Sequence, residues 1–217
     1  MIPELSHKDA DINTLAEKAL ETEQLLSELL DGLKSKEETF RYNCFKVLLL
    51  ISKTRGKVLY PRWNYLVELL CSDNSYHKMS AIHLITNLTK VDTENKFEQL
   101  FDRYYSLLDD KSMIVAIYTA GNSGQIVKAK PQMESRITDM LLKIGETHHP
   151  SGRKELIKAG AIEAFGEYLE IAANRDRIIE FVKAQQNSES PKTRKIAKEF
   201  LKKWGSNCLH FASTATF

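Results

Sequence analysis

The chain has 217 residues, of which 42% are hydrophobic and 28% are charged, and its formal net charge is +2. This balance is typical of a soluble domain with a core, and no apolar run approaches the roughly 20 residues that a membrane-spanning helix needs. The first residues carry no basic-then-apolar leader, so we expect a cytoplasmic protein without membrane contact. Cys44, Cys71 and Cys208 lack metal-ligand spacing and indicate neither disulfides nor a metal centre.

Charge is distributed unevenly along the chain. Residues 1–40 contain four lysines and ten acidic residues, whereas residues 41–60 contain five basic residues and no acidic one. Residues 181–205 contain seven basic and two acidic residues. An acidic first helix and basic later helices could organise partner binding, although solvated helix faces explain the same pattern.

Polar turns recur along the chain at nearly constant spacing. Their centres are residues 35, 73, 110, 148 and 189, so the steps are 38, 37, 38 and 41 residues. Each turn follows one apolar helical stretch and precedes another. A period near 40 with two helices per unit is typical of a stacked α-solenoid. The turns are Lys34-Ser35-Lys36, Ser72-Asp73-Asn74, Asp109-Asp110-Lys111, Thr147-His148-His149 and Ser188-Glu189-Ser190.

Apolar residues at three- and four-residue steps predict helices throughout, and no strand pattern is evident. Asp73 or Ser75 is expected to cap the helix that begins near residue 76, and Gly160 is expected to end a short helix. Gly121 and Gly124 lie inside a predicted helix and indicate close approach by a neighbouring helix, or a bend. In chain order, the predicted helices cover residues 12–33, 37–52, 61–71, 76–90, 93–108, 111–128, 131–145, 151–159, 161–172, 175–186 and 191–204.

The second helix of several pairs has a basic residue three positions before a small one. Arg41 precedes Cys44, Lys78 precedes Ala81, and Arg194 precedes Ala197 in this way. The segment 190–197 resembles a HEAT repeat, and the segment 156–162 resembles the related armadillo repeat.

The resemblance implies an all-α, right-handed α-solenoid (an α-α superhelix) of about five stacked helix pairs. We expect one domain over residues 1–205 and an irregular tail over residues 206–217. In HEAT repeats an Asp of the turn and an Arg of the next helix form a ladder. Asp73 matches that pattern, but Val115 occupies the basic position of the third unit, so an incomplete ladder is expected.

Few residues suggest a catalytic, cofactor-binding or metal-binding site. There is no Gly-rich phosphate loop and no nucleophile elbow, and no cofactor is predicted. His148-His149 is the one pair of adjacent histidines; because neighbouring residues in a turn point in different directions, we interpret it as a solvated turn rather than a metal site. Asp109-Asp110 is interpreted as a turn and helix cap.

Polar and basic residues at stacked positions of the second helices are the candidate binding site. On a concave face they would form a groove that suits an acidic segment of another protein, or the phosphate backbone of a nucleic acid. The oligomeric state is not predicted. The candidate groove residues are Asn43, Lys46, Lys53, His83, Asn87, Lys90, Tyr118, Asn122, Lys195 and Lys198.

The first functional hypothesis is a non-catalytic interaction scaffold or adaptor that holds a partner protein in this groove. The alternative, by resemblance, is a HEAT-like DNA-binding protein or an alkylpurine DNA glycosylase acting on damaged DNA. Those glycosylases use aromatic residues and a carboxylate clustered in the groove. Trp63 and Trp204 instead fall on apolar helix sides, far apart in the stack, and the isoelectric point is a modest 8.3. We therefore do not expect an enzyme.

Overall fold

The computed structural model describes residues 3–204, and every regular element in that range is a helix. Short 3-10 turns join many of the helices. The predicted tail at 206–217 lies outside the described residues. The α-helices are α1 (Ile12–Glu21), α2 (Glu23–Gly32), α3 (Glu38–Thr54), α4 (Gly56–Leu59), α5 (Trp63–Leu70), α6 (Ser75–Leu88), α7 (Lys96–Tyr105), α8 (Met113–Ala129), α9 (Glu134–Leu142), α10 (Ser151–Tyr168), α11 (Arg175–Ala184) and α12 (Pro191–Trp204).

The chain divides into two compact units, unit 1 (residues 1–99) and unit 2 (residues 100–217), with the boundary inside α7. In unit 1, α3 packs against α1, α2 and α6, and α5 packs against α6. In unit 2, α10 packs between α8 and α12, while α9 packs against α11. Each unit therefore contains successive helix pairs laid against each other. The expectation of a single domain over residues 1–205 stays a prediction.

The long first helix predicted over residues 12–33 is wrong, because it is broken at Thr22. The backbone at Thr22 is extended, with φ −135° and ψ 106°, which ends α1 and starts α2. Both helices pack on α3, and Leu15 of α1 and Leu29 of α2 are buried. The break lets two short helices present their apolar sides to one neighbour, and the β-branched Thr22 suits the extended conformation.

All five polar turns separate helices as predicted, and two of them share one closing contact. Arg41 donates through Nη1 to the Ser35 carbonyl oxygen at 2.8 Å. Arg194 donates in the same way to the Ser188 carbonyl oxygen, at 2.6 Å. In each case the acceptor precedes the arginine by six residues. These two guanidinium groups therefore close the turn of their own repeat.

The cap of α6 differs from the expectation of Asp73 or Ser75. Asn74 is the N-cap residue, and its side chain accepts a hydrogen bond from the Tyr76 N–H at 2.9 Å. Ser72 in turn accepts from the Asn74 N–H at 3.1 Å. The cap lies one residue away from both predicted positions because the turn residues bond to each other.

Gly160 does not end a helix, since α10 continues through it from Ser151 to Tyr168. A Cβ atom at position 160 would lie 3.0 Å from the carbonyl oxygen of Ile117 in α8. At Gly124 of α8, a Cβ would lie 2.9 Å from the carbonyl oxygen of Ala164 in α10. The predicted close approach at Gly124 is confirmed, and Gly160 serves the same contact from the other side.

Ion pairs join the first helices of neighbouring repeats at the repeat period. In unit 1, Arg62 contacts Glu23 at 2.6 Å, 39 residues away. In unit 2, Arg136 contacts Asp102 at 2.6 Å and Arg177 contacts Asp139 at 2.8 Å, at separations of 34 and 38 residues. These groups are largely exposed, so each pair contributes at most about 1 kcal/mol to stability. They link the first helix of one repeat to that of the next.

Candidate partner-binding surface

Three of the ten predicted groove residues are buried asparagines. Asn43 donates its side-chain N–H groups to the carbonyl oxygens of Leu5 and His7, at 2.9 and 2.7 Å. It is 1% exposed, because the 3-10 turn before α1 covers this side of α3. The prediction that Asn43 is exposed in a groove is therefore wrong: the amide fastens the first residues of unit 1 to α3.

Asn87 and Asn122 are also in the interior, so the same correction applies to them. The Asn87 amide donates to Ser52 Oγ at 2.8 Å, which links α6 to α3. The Asn122 amide donates to the carbonyl oxygen of Tyr118, one turn earlier in α8, at 2.8 Å. Buried polar groups need hydrogen-bond partners, and both amides have theirs inside the protein. Neither side chain is therefore available to a partner in a groove.

The other seven groove residues keep some exposure. In unit 1, Lys53 and Lys90 are exposed, and Lys46 and His83 are half-buried. In unit 2, Tyr118 is half-buried, while Lys195 and Lys198 are exposed on α12. Their role in binding stays a prediction, and the two sets belong to separate units.

The accessible side of α3 is a mixed aromatic, aliphatic and basic surface in unit 1. We call Tyr42, Phe45, Lys46, Leu49 and Lys53 the α3 stripe. Successive members are separated by one, three or four residues, which places them on one side of a helix. Tyr42 is 59% exposed, and the others are exposed or half-buried. The α3 stripe therefore belongs to the part of this helix that its neighbours leave accessible.

Each of the two exposed tyrosines of this surface, Tyr42 in the α3 stripe and Tyr76 next to it, makes a cation–π contact. Lys46 Nζ lies 5.0 Å from the centre of the Tyr42 ring. The Arg41 guanidinium lies 4.5 Å from the centre of the Tyr76 ring, which belongs to α6 and is 55% exposed. The Phe45 and His83 rings have centroids 5.8 Å apart, so α3 and α6 present one continuous surface.

The pKa of His77 reports the electrostatic environment at the start of α6. This pKa lies below its ordinary value of 6.5, first because the ring is partly removed from water and then because Lys34 and Arg41 are close. Ser72 Oγ lies 2.9 Å from His77 Nδ1 and fixes the ring. Two positive side chains, Lys34 and Arg41, thus lie close to the start of α6.

Sequence reasoning found the lysines of this surface and missed its aromatic residues. Tyr42 and Tyr76 are absent from the predicted groove. Tyr42 has a basic residue, Lys46, at helical contact spacing, whereas the basic partner of Tyr76 is Arg41 of another helix. The step of four from Tyr42 to Lys46 is the signal that could have found the first pair. The half-buried Phe45 and Leu49 follow the same step pattern but resemble core residues in sequence.

Comparison with one solved structure supports the fold. The solved structure of a designed armadillo repeat protein aligns with a TM-score of 0.56 at 18% sequence identity, covering 92% of this chain and 90% of that one. A second solved structure, an engineered protein, aligns with a TM-score of 0.49 at 17% identity over 92% and 90% of the two chains. No protein-family model matches the sequence, and no curated protein matches it either.

The chain therefore has an all-α helical repeat fold of the armadillo and HEAT type. The likeness at 18% identity concerns the fold alone. Within residues 3–204, none of the helices is both long and apolar enough to cross a bilayer.

Proposed function

We propose that this protein is a non-catalytic binding module, and that the α3 stripe together with Tyr76 binds an acidic segment of a partner protein. One observation carries the proposal: the accessible side of α3 combines Tyr42 with Lys46 and Lys53, in a stretch of chain, residues 41–60, that contains no acidic residue. Tyr76 of α6 lies beside it, against Arg41. The helical repeat fold supports it, because such folds present extended surfaces to partners.

The residue types of the α3 stripe suit a protein partner. Tyrosine is enriched at the centres of interfaces, where a large rigid ring buries area at small entropic cost. Leu49 and Phe45 add apolar contact between the charged positions. Lys46 and Lys53 lie one on each side of Leu49, so they would meet carboxylates flanking an apolar side chain of the partner.

The first experiment places a photo-crosslinking amino acid at Tyr42 and identifies the protein that it captures from native lysate. The same amino acid at Lys8, on the loop before α1, is the control position. We expect one protein to be captured from position 42 and not from position 8. Equal capture from both positions would leave the α3 stripe without support.

Charge reversal then tests the surface with the purified partner. Lys46→Glu with Lys53→Glu should slow association by roughly tenfold, because charge at an interface rim acts mainly on encounter. Lys8→Glu with Lys18→Glu changes the net charge equally at two exposed positions that lie outside α3 and α6. If both double variants weaken binding to the same degree, a general charge effect explains the result and the proposal fails.

A salt-dependent DNA-binding assay addresses the alternative function. A protein that contacts several phosphates loses affinity steeply as salt increases. The two tryptophans do not form an exposed cluster: Trp63 is 3% exposed in unit 1, and Trp204 is half-buried on α12 of unit 2. We expect no tight, steeply salt-sensitive binding, and observing it would favour the DNA-binding function.

A further inference from the structure

Two polar turns of unit 2 meet through Asp109 and His148. Asp109 belongs to the turn before α8, and His148 belongs to the turn before α10, 39 residues later. Asp109 Oδ1 accepts a hydrogen bond from the His148 backbone N–H at 2.7 Å. The same oxygen lies 2.5 Å from His148 Nδ1. Both side chains are about half exposed to solvent, at 49% and 57%.

His149 differs from its neighbour because it is 3% exposed. The Leu108 carbonyl oxygen accepts a hydrogen bond from its ring. Among the described residues, His149 Nε2 has no hydrogen-bond partner although it is buried, so the donor to Leu108 is Nδ1. This tautomer leaves a lone pair on Nε2. A buried nitrogen lone pair without a donor is rare in proteins and calls for an explanation.

The two imidazole rings lie face to face rather than apart. Their centroids are 4.6 Å apart and their planes differ by 26°. The expectation that adjacent turn residues point in different directions is wrong here. The reason is that both rings turn toward the preceding repeat, one to Asp109 and the other to Leu108. Sequence alone interprets the pair as solvated because the two acceptors are supplied by another turn.

We propose that Asp109, His148 and His149 form a binding site for a Zn²⁺ ion. One ligand atom from each of the three side chains lies within 4.8 Å of the other two. Two imidazole nitrogens and one carboxylate oxygen are a donor set that Zn²⁺ accepts, and water would complete the coordination. The Leu108 contact supports this assignment, because a metal-binding histidine typically donates its second ring N–H to a backbone carbonyl or a carboxylate.

Binding requires two local changes. Two ligands of a tetrahedral Zn²⁺ with bonds of about 2.0–2.1 Å lie about 3.3 Å apart, farther than Asp109 Oδ1 and His148 Nδ1 are now. The exposed side chains of Asp109 and His148 would separate, and the ion would replace the hydrogen bond between them. The exposed His148 ring would also turn out of its stack on His149, because an imidazole binds a metal ion in the plane of its ring. His149, which is buried, would keep its position and its bond to Leu108.

Calorimetric titration of the EDTA-treated protein with Zn²⁺ near neutral pH tests the site. Titration with Co²⁺, followed by visible absorption, reports the ligands of the bound ion. We expect one ion per chain. Asp109→Asn and His148→Ala should each weaken Zn²⁺ binding by at least about tenfold, the loss that even outer ligand partners produce. Asp110→Asn and His83→Ala are matched controls and should leave the affinity unchanged.

The shift in unfolding temperature that Zn²⁺ causes in each variant separates a loss of Zn²⁺ binding from a change in the stability of the variant itself. A ligand that binds only the folded state raises the unfolding temperature, and the stabilisation grows with the logarithm of the ligand concentration divided by Kd. Zn²⁺ should therefore stabilise the wild-type protein and the Asp110→Asn variant, but not Asp109→Asn or the buried variant His149→Ala. The proposal is overturned if the wild-type protein binds no Zn²⁺ at millimolar concentration. It is also overturned if the Asp109 and His148 variants bind as tightly as the controls.

Discussion

Gly160 of α10 lies directly against Ile117 of α8: a Cβ atom at position 160 would be 3.0 Å from the Ile117 carbonyl oxygen. It would also lie 3.3 Å from the backbone nitrogen of Gly121. Backbone atoms cannot rotate away as a flexible side chain can. The two helices therefore keep their present separation only while residue 160 lacks a side chain.

Gly160→Ala should destabilise the protein by about 1–3 kcal/mol, because the two helices must move apart to admit the methyl group. Gly121→Ala is the matched control in the same interface. No atom lies within 4 Å of a Cβ at position 121, so the gain in helix propensity should stabilise the protein by up to about 1 kcal/mol. Urea unfolding midpoints of both variants measure the difference. Equal shifts in the same direction would contradict the assignment of the close contact to Gly160.

Ala81 and Ala197 are fully buried on second helices, in unit 1 and unit 2 respectively. Ala81→Leu and Ala197→Leu should each destabilise by about 1–3 kcal/mol through overpacking. Ala184→Leu, at an exposed position of α11, should change stability by no more than about 0.5 kcal/mol. Thermal unfolding of the three variants provides the measurement. Wild-type midpoints for the first two would mean that space exists beside these helices.

Asn43→Ala should destabilise by about 1–3 kcal/mol, because it removes the donor to two carbonyl oxygens, those of Leu5 and His7. The loss should be local: amide hydrogen exchange over residues 3–10 should accelerate more than exchange in α5. Asn122→Ala is a useful comparison, since its amide bonds only within α8 to the Tyr118 carbonyl in the contacts described. If exchange near the first residues does not change, Asn43 does not fasten this segment.

His77 should titrate below 6.5 in an NMR pH titration, because burial and the nearby Lys34 and Arg41 disfavour its protonated form. Below about pH 6.5 the unfolded chain then binds more protons than the folded chain. The stability that neutral His77 contributes is present above the unfolded pKa and is lost as the pH falls below it. His77→Gln should reduce this acid sensitivity.

Lys34→Gln provides the electrostatic control for that titration. Removing this positive charge should raise the His77 pKa toward 6.5, whereas Lys18→Gln on α1 should leave it unchanged. A His77 pKa at or above 6.5 in the wild-type protein would contradict the positive environment inferred at the start of α6.

The repeat period and the turns could be predicted from the sequence because they depend on local patterns. The break at Thr22 and the continuation of α10 through Gly160 could not. Glycine is the commonest residue just after a helix, and only the backbone of Ile117 shows why this one is internal. Tertiary packing outweighed the local signal in both places.

Of the candidate site, the exposure of the lysines could be predicted from the sequence, but the burial of the asparagines could not. Lys46 and Lys53 are charged, and a charged residue on an amphipathic helix is almost always near water. Asparagine is ambiguous, since it is stable either in water or in the interior with partners. The acceptors of Asn43 are 36 and 38 residues away in sequence, so the local pattern of α3 could not indicate them. Asp109 and His148 are 39 residues apart, which is close to the repeat period and is the sequence signal that these two turns lie side by side.

Arg41 and Arg194 each close the turn that precedes their own helix, so in these two repeats the contact that shapes the turn lies within one segment of the chain. When an arginine instead pairs with the turn of the next repeat, duplicating or deleting a repeat leaves one member of the pair without its counterpart. Arg41 and Arg194 find their acceptors six residues away in the same segment. Gene duplication or protein engineering could therefore lengthen the chain by copying such a segment whole, because the arginine and its acceptor would be copied together.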